Sequence, residues 1–346
     1  MMQFSSSSVL SAKAKALYGQ RLKPEDYQAM MQKKTVSDLA TYLKQNTYFS
    51  KALDGINEKL VHRGQLESLI RLDLFKRFSR MMRYVDDKRA PFYRYGIMDQ
   101  EINQIMACIR SLSMDDRLSF FVNVPDHLAH HTSFKLEGLL NLKSYDQLLE
   151  LLKGTSYYKV LKKYEVDSLE NFDLNSCEIE FRELYLKTIL ELVKKSFKGS
   201  SKANVTDLFM SREELLNIQK IYRMKKYFNY SSERIKRSIK IERVHLTKNE
   251  INDLIEKVSP DDFFMWLKST AYGRYIKDKK FLYVEYHIKK ILYEIDKRNM
   301  RFNVNADIVV LAYMLISEME VQNVIDVIEG IRYKITPDRI SRYLVY

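Results

Sequence analysis

The sequence has few of the residues that form turns and end helices: nine glycines and five prolines in 346 residues. Sandwiches and barrels need frequent turns, and phosphate-binding loops need clustered glycines, so both are disfavoured. The only cysteines are Cys108 and Cys177, which excludes a disulfide framework and favours reduced thiols in the cytoplasm. We therefore predict an all-α fold.

Long apolar segments are also missing. The longest unbroken apolar run, residues 308–316, is shorter than the roughly 18 residues that indicate a membrane span. The polar N-terminus lacks the apolar core of a secretory signal. We expect a chain that does not cross a bilayer.

Patterns for catalysis and cofactor binding are scarce. Neither Gly-x-Ser-x-Gly nor the Gly-x-x-x-x-Gly-Lys-Ser/Thr loop of ATP-binding proteins occurs. Asp126, His127, His130 and His131 have the spacing of metal ligands, but without a nearby Cys or Glu partner surface histidines are favoured over a zinc site. We predict no enzyme activity, no cofactor and no metal.

Positive charge and helical periodicity are abundant instead. The formal net charge of +13 predicts an acidic partner, which could be nucleic acid, anionic lipid or an acidic protein surface. Apolar residues three and four apart predict amphipathic helices over residues 66–85, 177–196 and 281–295. Residues 198–204, with a Gly-Ser-Ser sequence, predict an exposed linker.

A repeat of about 110 residues is the most informative feature of the sequence. Three segments begin with a helix N-cap signature, continue through Leu-Lys to a threonine, and are followed by an aromatic stretch. The segments run from Thr35 to Thr47, from Ser144 to Thr155 and from Ser259 to Thr270. Each predicts a capped helix that ends in a short turn.

A second pattern has the same period. Residues 101–110 and 214–223 align from a glutamate to an arginine, with Gln104 opposite Asn217, and a third copy begins at Glu320. The two patterns together predict three related helical units in one chain. We place the units at residues 1–115, 116–230 and 231–346.

The repeated glutamates and arginines each allow two interpretations. Glu214 and Glu320 lie three residues after Ser211 and Ser317, which is the spacing of a capping box, so a structural role at a helix N-terminus is favoured over partner contact. The arginines Arg110 and Arg223 could grip carboxylates of a partner or could be solvated and locally paired.

These residues resemble those of the AC39 family, the C subunits of bacterial and archaeal V/A-type rotary ATPases, whose counterpart in the eukaryotic vacuolar enzyme is called the d subunit. The resemblance covers most of the chain. It is carried by Ala14-Lys15-Ala16-Leu17-Tyr18-Gly19, by the cap-to-threonine segments, and by a closing stretch from Ala312 through Glu320 and Asn323 to Lys334. It implies an all-helical, funnel-shaped protein with pseudo-threefold symmetry.

The resemblance also implies a role and partners. The family's protein is a non-catalytic central-stalk subunit, peripheral on the cytoplasmic face of the membrane, in a complex that transports protons or sodium ions. It lies between the shaft of D and F subunits and the rotor ring of c/K proteolipid subunits. Its expected partner-binding residues here are Arg110, Arg223, Gln104, Asn217 and Asn323.

A second function remains open for the densest basic stretch. Residues 223–226 and 234–240 are rich in Lys and Arg and are interleaved with Tyr227, Phe228 and Tyr230. Basic residues with aromatics can bind RNA or single-stranded DNA through phosphate contacts and base stacking. The alternative to the stalk subunit is therefore a basic helical-repeat protein that binds nucleic acid, although none is expected under the first interpretation.

Overall fold

The computed structural model describes residues 6–114, 132–164, 172–239 and 244–346, and within these ranges every regular element is a helix. The all-α prediction is confirmed for this part of the chain. In chain order the α-helices are α1 Ser6–Gly19, α2 Pro24–Met31, α3 Val36–Asn46, α4 Arg63–Met82, α5 Tyr95–Met114, α6 Tyr145–Leu151, α7 Ser156–Leu161, α8 Leu174–Ser196, α9 Gly199–Lys226, α10 Ser232–Ser238, α11 Lys248–Glu256, α12 Phe263–Ser269, α13 Val284–Phe302, α14 Ala306–Arg332 and α15 Pro337–Ser341. Short 3-10 helices span Tyr48–Lys51, Phe92–Arg94, Leu136–Asn141, Lys162–Tyr164 and Ala271–Tyr275.

The three predicted amphipathic helices are confirmed. Helix α4 covers most of the first, α8 covers the second in full, and α13 begins a few residues later than predicted. The stripes are buried at Leu66, Ile70 and Met81 in α4, at Phe181 and Ile189 in α8, and at Ile288 and Ile291 in α13. Burial of one stripe is what keeps such helices folded, since isolated helices of this length are only marginally stable in water.

The predicted N-caps are confirmed at two of the three repeats. The Thr35 hydroxyl accepts the Asp38 N–H at 3.0 Å, and the Asp38 carboxylate accepts the Thr35 N–H at 3.1 Å. Ser144 likewise caps α6. At the third repeat, Ser259 and Asp262 form reciprocal hydrogen bonds that close a turn, and α12 begins only after that turn.

The predicted linker at residues 198–204 is wrong. Helix α9 begins at Gly199 and continues without a break to Lys226. Gly199 has a positive φ of 54°, a backbone conformation that glycine adopts without steric cost, at the start of α9. The polar Gly-Ser-Ser sequence therefore forms a first helical turn, because packing of the helix further along overrides its weak local helix propensity.

The chain divides into two compact units. We call residues 1–86 with 199–346 the composite unit, and residues 87–198 the middle unit. In the composite unit, α14 lies at the centre and packs against α1, α4 and α13. Its apolar residues join those of α2, α3 and α4 in one continuous core. The division of the chain into three repeat units stays a prediction.

Helix α14 is also the one described helix that is long and apolar enough to cross a membrane by length and composition. The nine-residue apolar run on which the sequence prediction relied is part of it. In this structure 89% of the apolar window is buried inside the protein. Its environment is that of a core helix.

The middle unit is built mainly from α5 and α8, which pack against each other. Phe92 and Phe197 meet edge to face, with ring centroids 4.8 Å apart, beneath the start of α5. Cys108 and Cys177 are both free and buried in this unit. Burial raises the pKa of the Cys177 thiol to about 12, so the thiol is protonated at neutral pH.

Candidate functional site

The threonine that ends each repeated segment begins a new helical turn. In each case its hydroxyl accepts a backbone N–H from that turn and donates to a backbone carbonyl of the helix before it. The donated bonds run from Thr47 to Leu43 at 2.6 Å, from Thr155 to Leu152 at 2.7 Å, and from Thr270 to Leu267 at 2.7 Å. One small side chain thus joins two helices at a fixed angle, which explains why the pattern needs a threonine.

Each capped turn directs a tyrosine hydroxyl at one of the repeated glutamates. The glutamates Glu101, Glu214 and Glu320 are at most 6% exposed, and we call them the glutamate anchors. The donors are Tyr157 to Glu101 at 2.5 Å, Tyr272 to Glu214 at 2.6 Å, and Tyr48 to Glu320. The two patterns of the sequence repeat are therefore the two halves of one buried contact.

Each anchor also holds a non-helical stretch of backbone. Glu214 accepts three successive N–H groups, from Val244 at 2.8 Å, His245 at 3.0 Å and Leu246 at 3.2 Å. Glu101 accepts hydrogen bonds from the backbone N–H of Ser133 and, at 2.9 Å, from the Ser133 hydroxyl. Glu320 accepts the backbone N–H of Leu22 at 2.8 Å. Buried carboxylates are stable only with such donors, so the anchors tie distant segments to helix interiors.

The capping-box interpretation of these glutamates is wrong. Ser211 and Glu214 lie in the middle of α9, and Ser317 and Glu320 lie in the middle of α14. The Ser211 hydroxyl donates to the carbonyl of Asp207 at 2.6 Å, within its own helix. A Ser-x-x-Glu spacing is local and cannot reveal that the helix begins several turns earlier.

Burial and charge strengthen the tyrosine contacts. Burial, followed by the neighbouring carboxylate, holds the pKa of the Tyr48 hydroxyl well above its usual value, so this group donates at any physiological pH. The Arg77 guanidinium donates to the Tyr48 oxygen at 3.1 Å and lies over the ring, 4.3 Å from its centroid. Burial also raises the pKa of the Glu320 carboxyl.

The two predicted partner-binding arginines are half-exposed, each with a side chain that is 49% accessible. The Arg110 guanidinium lies 3.9 Å from the Glu178 carboxylate, and the Arg223 guanidinium lies 3.6 Å from that of Glu285. Such long, exposed ion pairs stabilise a protein little. Both arginines are therefore available to a carboxylate from outside, and their role stays a prediction.

The three amides of the pattern have different surroundings. Gln104 and Asn217 are half-buried on α5 and α9. Asn323 is 1% exposed, donates to the carbonyl of Val345 at 2.7 Å and accepts from Lys289 at 2.9 Å. Its amide fixes the C-terminal residues against α14. The partner contacts expected of the three amides stay predictions.

Much of the basic stretch is paired within the protein. The Lys225 ammonium donates to three backbone carbonyls at the end of α11, among them Leu254 at 2.8 Å. Lys226 pairs with Asp261 at 3.1 Å, and Lys236 pairs with Glu256. Charges used in this way do not contribute fully to phosphate binding. The nucleic-acid alternative therefore loses part of the patch on which it rests.

No three His, Cys, Asp or Glu side chains are grouped as metal ligands among the residues that the structure describes. The candidate ligands Asp126, His127, His130 and His131 lie outside those residues.

What the described arrangement does chemically is bind backbone and hold helices together. The sequence found the anchors' positions but missed their pairing. The signal that could have revealed this pairing is the period that the two sequence patterns share.

Two comparisons with known proteins agree with the sequence pattern. A family model described as the ATP synthase (C/AC39) subunit matches residues 10–343, which include all three anchors. The C subunit of the A-type ATP synthase of Pyrococcus horikoshii is 26% identical over 220 residues, covering 61% of this chain and 57% of the relative. The matched region thus spans little more than half the length of that relative.

Proposed function

We propose that this chain, which belongs to the ATP synthase (C/AC39) subunit family, is a non-catalytic central-stalk subunit of a V/A-type rotary ATPase or ATP synthase. In this role it couples the central shaft of D and F subunits to the membrane rotor ring. It works from the cytoplasmic face of the membrane, and the protons or sodium ions move through other subunits. No bond is made or broken in this chain.

The order of the anchor contacts is the observation that carries this proposal. Each anchor accepts from a tyrosine of the next predicted unit, and the third anchor accepts from the first unit. The pairs are Glu101 with Tyr157, Glu214 with Tyr272, and Glu320 with Tyr48. Head-to-tail contacts that return to their starting unit are those of a closed ring. They support a funnel of three units about a pseudo-threefold axis, with a concave face for the shaft end.

A coupler must transmit torque without twisting. Each anchor joins a helix interior to a distant segment by charge-assisted hydrogen bonds, which are shorter and stronger than neutral ones. Their burial excludes competing water, and the close-packed core around α14 leaves little freedom for rearrangement. The proposed mechanism is therefore rigid transmission, in which the catalytic subunits turn the shaft and this chain turns the ring with it.

The exposed arginines are the proposed contacts for the shaft. Arg110 and Arg223 occupy the same position of the repeat and carry weak ion pairs that a partner's carboxylates can replace. Reversal of both charges leaves the buried anchors untouched. It therefore separates partner binding from folding.

The test is co-purification with the shaft. The chain is produced together with affinity-tagged D and F subunits of its own organism, and the bound fraction is measured as wild type, as Arg110→Glu/Arg223→Glu, and as Arg237→Glu. Arg237 is an exposed residue of α10 that serves as the matched control. We expect one wild-type or control chain per shaft and at least about tenfold less of the double variant. A wild-type chain that binds RNA but not the shaft would contradict the proposal.

A further inference from the structure

A polar cavity of about 240 Å³ opens in the composite unit beside the Glu214 anchor. Its wall includes Ser211 and Tyr272, which belong to the anchor's own surroundings, and His245, whose backbone N–H the anchor accepts. The anchor therefore fixes one side of the cavity. Ligand pockets for drug-sized molecules are roughly 300–1,000 Å³, so a cavity of this size suits a small group.

The cavity is lined by two arginines from different segments. Arg274 comes from the turn after α12, and Arg298 comes from the last turns of α13. Neither guanidinium has a carboxylate within ion-pair distance among the residues that the structure describes, and their polar neighbours in the wall are mainly amides and hydroxyls. Asp207 is the one carboxylate in the described wall, so the lining has a net positive charge.

Further polar groups line the same cavity. The Ser211 hydroxyl donates to the Asp207 carbonyl at 2.6 Å, and the His245 Nε2 atom lies 3.0 Å from the Ser211 oxygen. The Oδ1 atom of Asn299 accepts from Asn303 at 3.3 Å, which leaves the Asn299 amide hydrogens available.

We propose that this cavity binds a phosphate group. Guanidinium forks from two segments of the wall, together with amide donors, match the several oxygens of a phosphate better than the two of a carboxylate. The proposal rests on the composite unit alone and is independent of the proposed place of the chain in a rotary ATPase.

The phosphate has two possible sources, a soluble phosphate compound or a lipid head group. Asn303 lines the cavity at the end of α13, and its two neighbours in the chain are exposed apolar residues: Phe302 is 76% and Val304 is 99% accessible. Apolar side chains next to a cationic pocket are what a lipid surface would cover. The experiment therefore has an arm for each source.

The first arm titrates the full chain with inorganic phosphate at constant ionic strength and follows its thermal unfolding. We expect a saturable rise in Tm for the wild type and for the control Arg237→Gln. For Arg274→Gln/Arg298→Gln we expect at least about tenfold weaker binding, the effect of losing charge-assisted hydrogen bonds. Both arginines are exposed, so the variant should fold.

The second arm measures flotation with phosphatidylcholine vesicles, with and without phosphatidylglycerol. Flotation that needs the anionic lipid, Arg274 and Arg298, and that falls several-fold in Phe302→Ser/Val304→Ser, identifies a lipid head group. Phosphate binding without flotation identifies a soluble compound. The proposal is overturned if neither phosphate nor anionic vesicles bind, or if binding is the same in the double arginine variant.

Discussion

Two buried carboxylates of the composite unit differ in how many donors they receive. Glu214 is fully buried and accepts three backbone N–H groups and the Tyr272 hydroxyl. Asp296 is 1% exposed, and within the described part of the chain it receives one long hydrogen bond, from Arg212 at 3.4 Å. Burial alone therefore does not decide whether a carboxylate stabilises a fold. What decides is how many hydrogen-bond donors reach the buried carboxylate.

The pKa of Asp296 reports the difference. Burial raises the pKa of this carboxyl to about 7, and the Arg212 charge only partly offsets the effect. The nearby Glu318 charge adds to the rise. Asp296 thus costs free energy when ionised, whereas the Glu214 carboxylate holds three residues of chain in place. The following predictions are ordered by the size of the expected effect.

Removal of the Glu214 side chain is expected to have the largest effect. Glu214→Ala leaves the buried N–H groups of residues 244–246 and the Tyr272 hydroxyl without their acceptor. We expect a loss of about 3–5 kcal/mol in the free energy of unfolding, measured by urea denaturation. The exposed Glu233→Ala is the control and should change stability by less than about 0.5 kcal/mol. Equal losses for the two variants would show that Glu214 is not an anchor.

Asp296 is expected to make the protein less stable as pH rises, whereas a carboxylate with enough hydrogen-bond donors makes a protein less stable as pH falls. Its pKa is raised in the folded state, so its contribution is fully present below the unfolded value near 4 and is lost as pH rises through about 7. Between pH 5 and pH 7 the loss should be about 2 kcal/mol. Asp296→Asn should remove this slope in urea denaturation at several pH values, whereas a slope unchanged in the variant would assign it to another group.

Removal of a tyrosine hydroxyl allows the stability contributions at two anchors, Glu320 and Glu214, to be compared directly. Among the residues that the structure describes, Tyr48 is one of two groups that donate to Glu320, whereas Tyr272 is one of four that donate to Glu214. Tyr48→Phe should therefore destabilise the protein by about 2 kcal/mol and Tyr272→Phe by about 1 kcal/mol. Both variants keep the ring, so the difference isolates the hydroxyl. The reverse order in denaturant unfolding would mean that donor number does not set the cost.

The capping threonine is expected to give the smallest effect. Thr270→Val keeps the shape of the side chain but removes its bonds to Leu267 and Tyr272. The expected loss is about 1 kcal/mol in thermal unfolding, typical of a lost N-cap. The partly exposed Thr41, whose hydroxyl bonds back within α3, provides the control Thr41→Val. A control that is as destabilising as Thr270→Val would remove the repeated threonines from the account.

Features with a local physical cause could be predicted from the sequence. Amphipathic stripes located α4, α8 and α13, and the Thr35 cap was confirmed because its partner Asp38 lies three residues away. The repeat period also identified the capping threonines before their contacts were known. The stripe spacing and the cap lie within one or two helical turns, whereas the repeat is recognised by comparing segments about 110 residues apart.

Features that depend on distant partners could not be predicted. The donors to Glu214 lie 30 to 58 residues along the chain, and Tyr48 is 272 residues from Glu320. The local Ser-x-x-Glu spacing therefore predicts a cap that the structure does not form. The Gly-Ser-Ser sequence at 199–201 likewise predicts a linker, whereas tertiary packing lets α9 continue through it.

Native mass spectrometry of a reconstituted mixture tests the central claim most directly. The chain is combined with the purified rotor ring and with the shaft complex of D and F subunits from the same organism. The account predicts one mass that contains one ring, one copy of this chain and one D–F shaft, and no ring–shaft complex when the chain is omitted. A ring and shaft that associate equally well without it would contradict the coupling role.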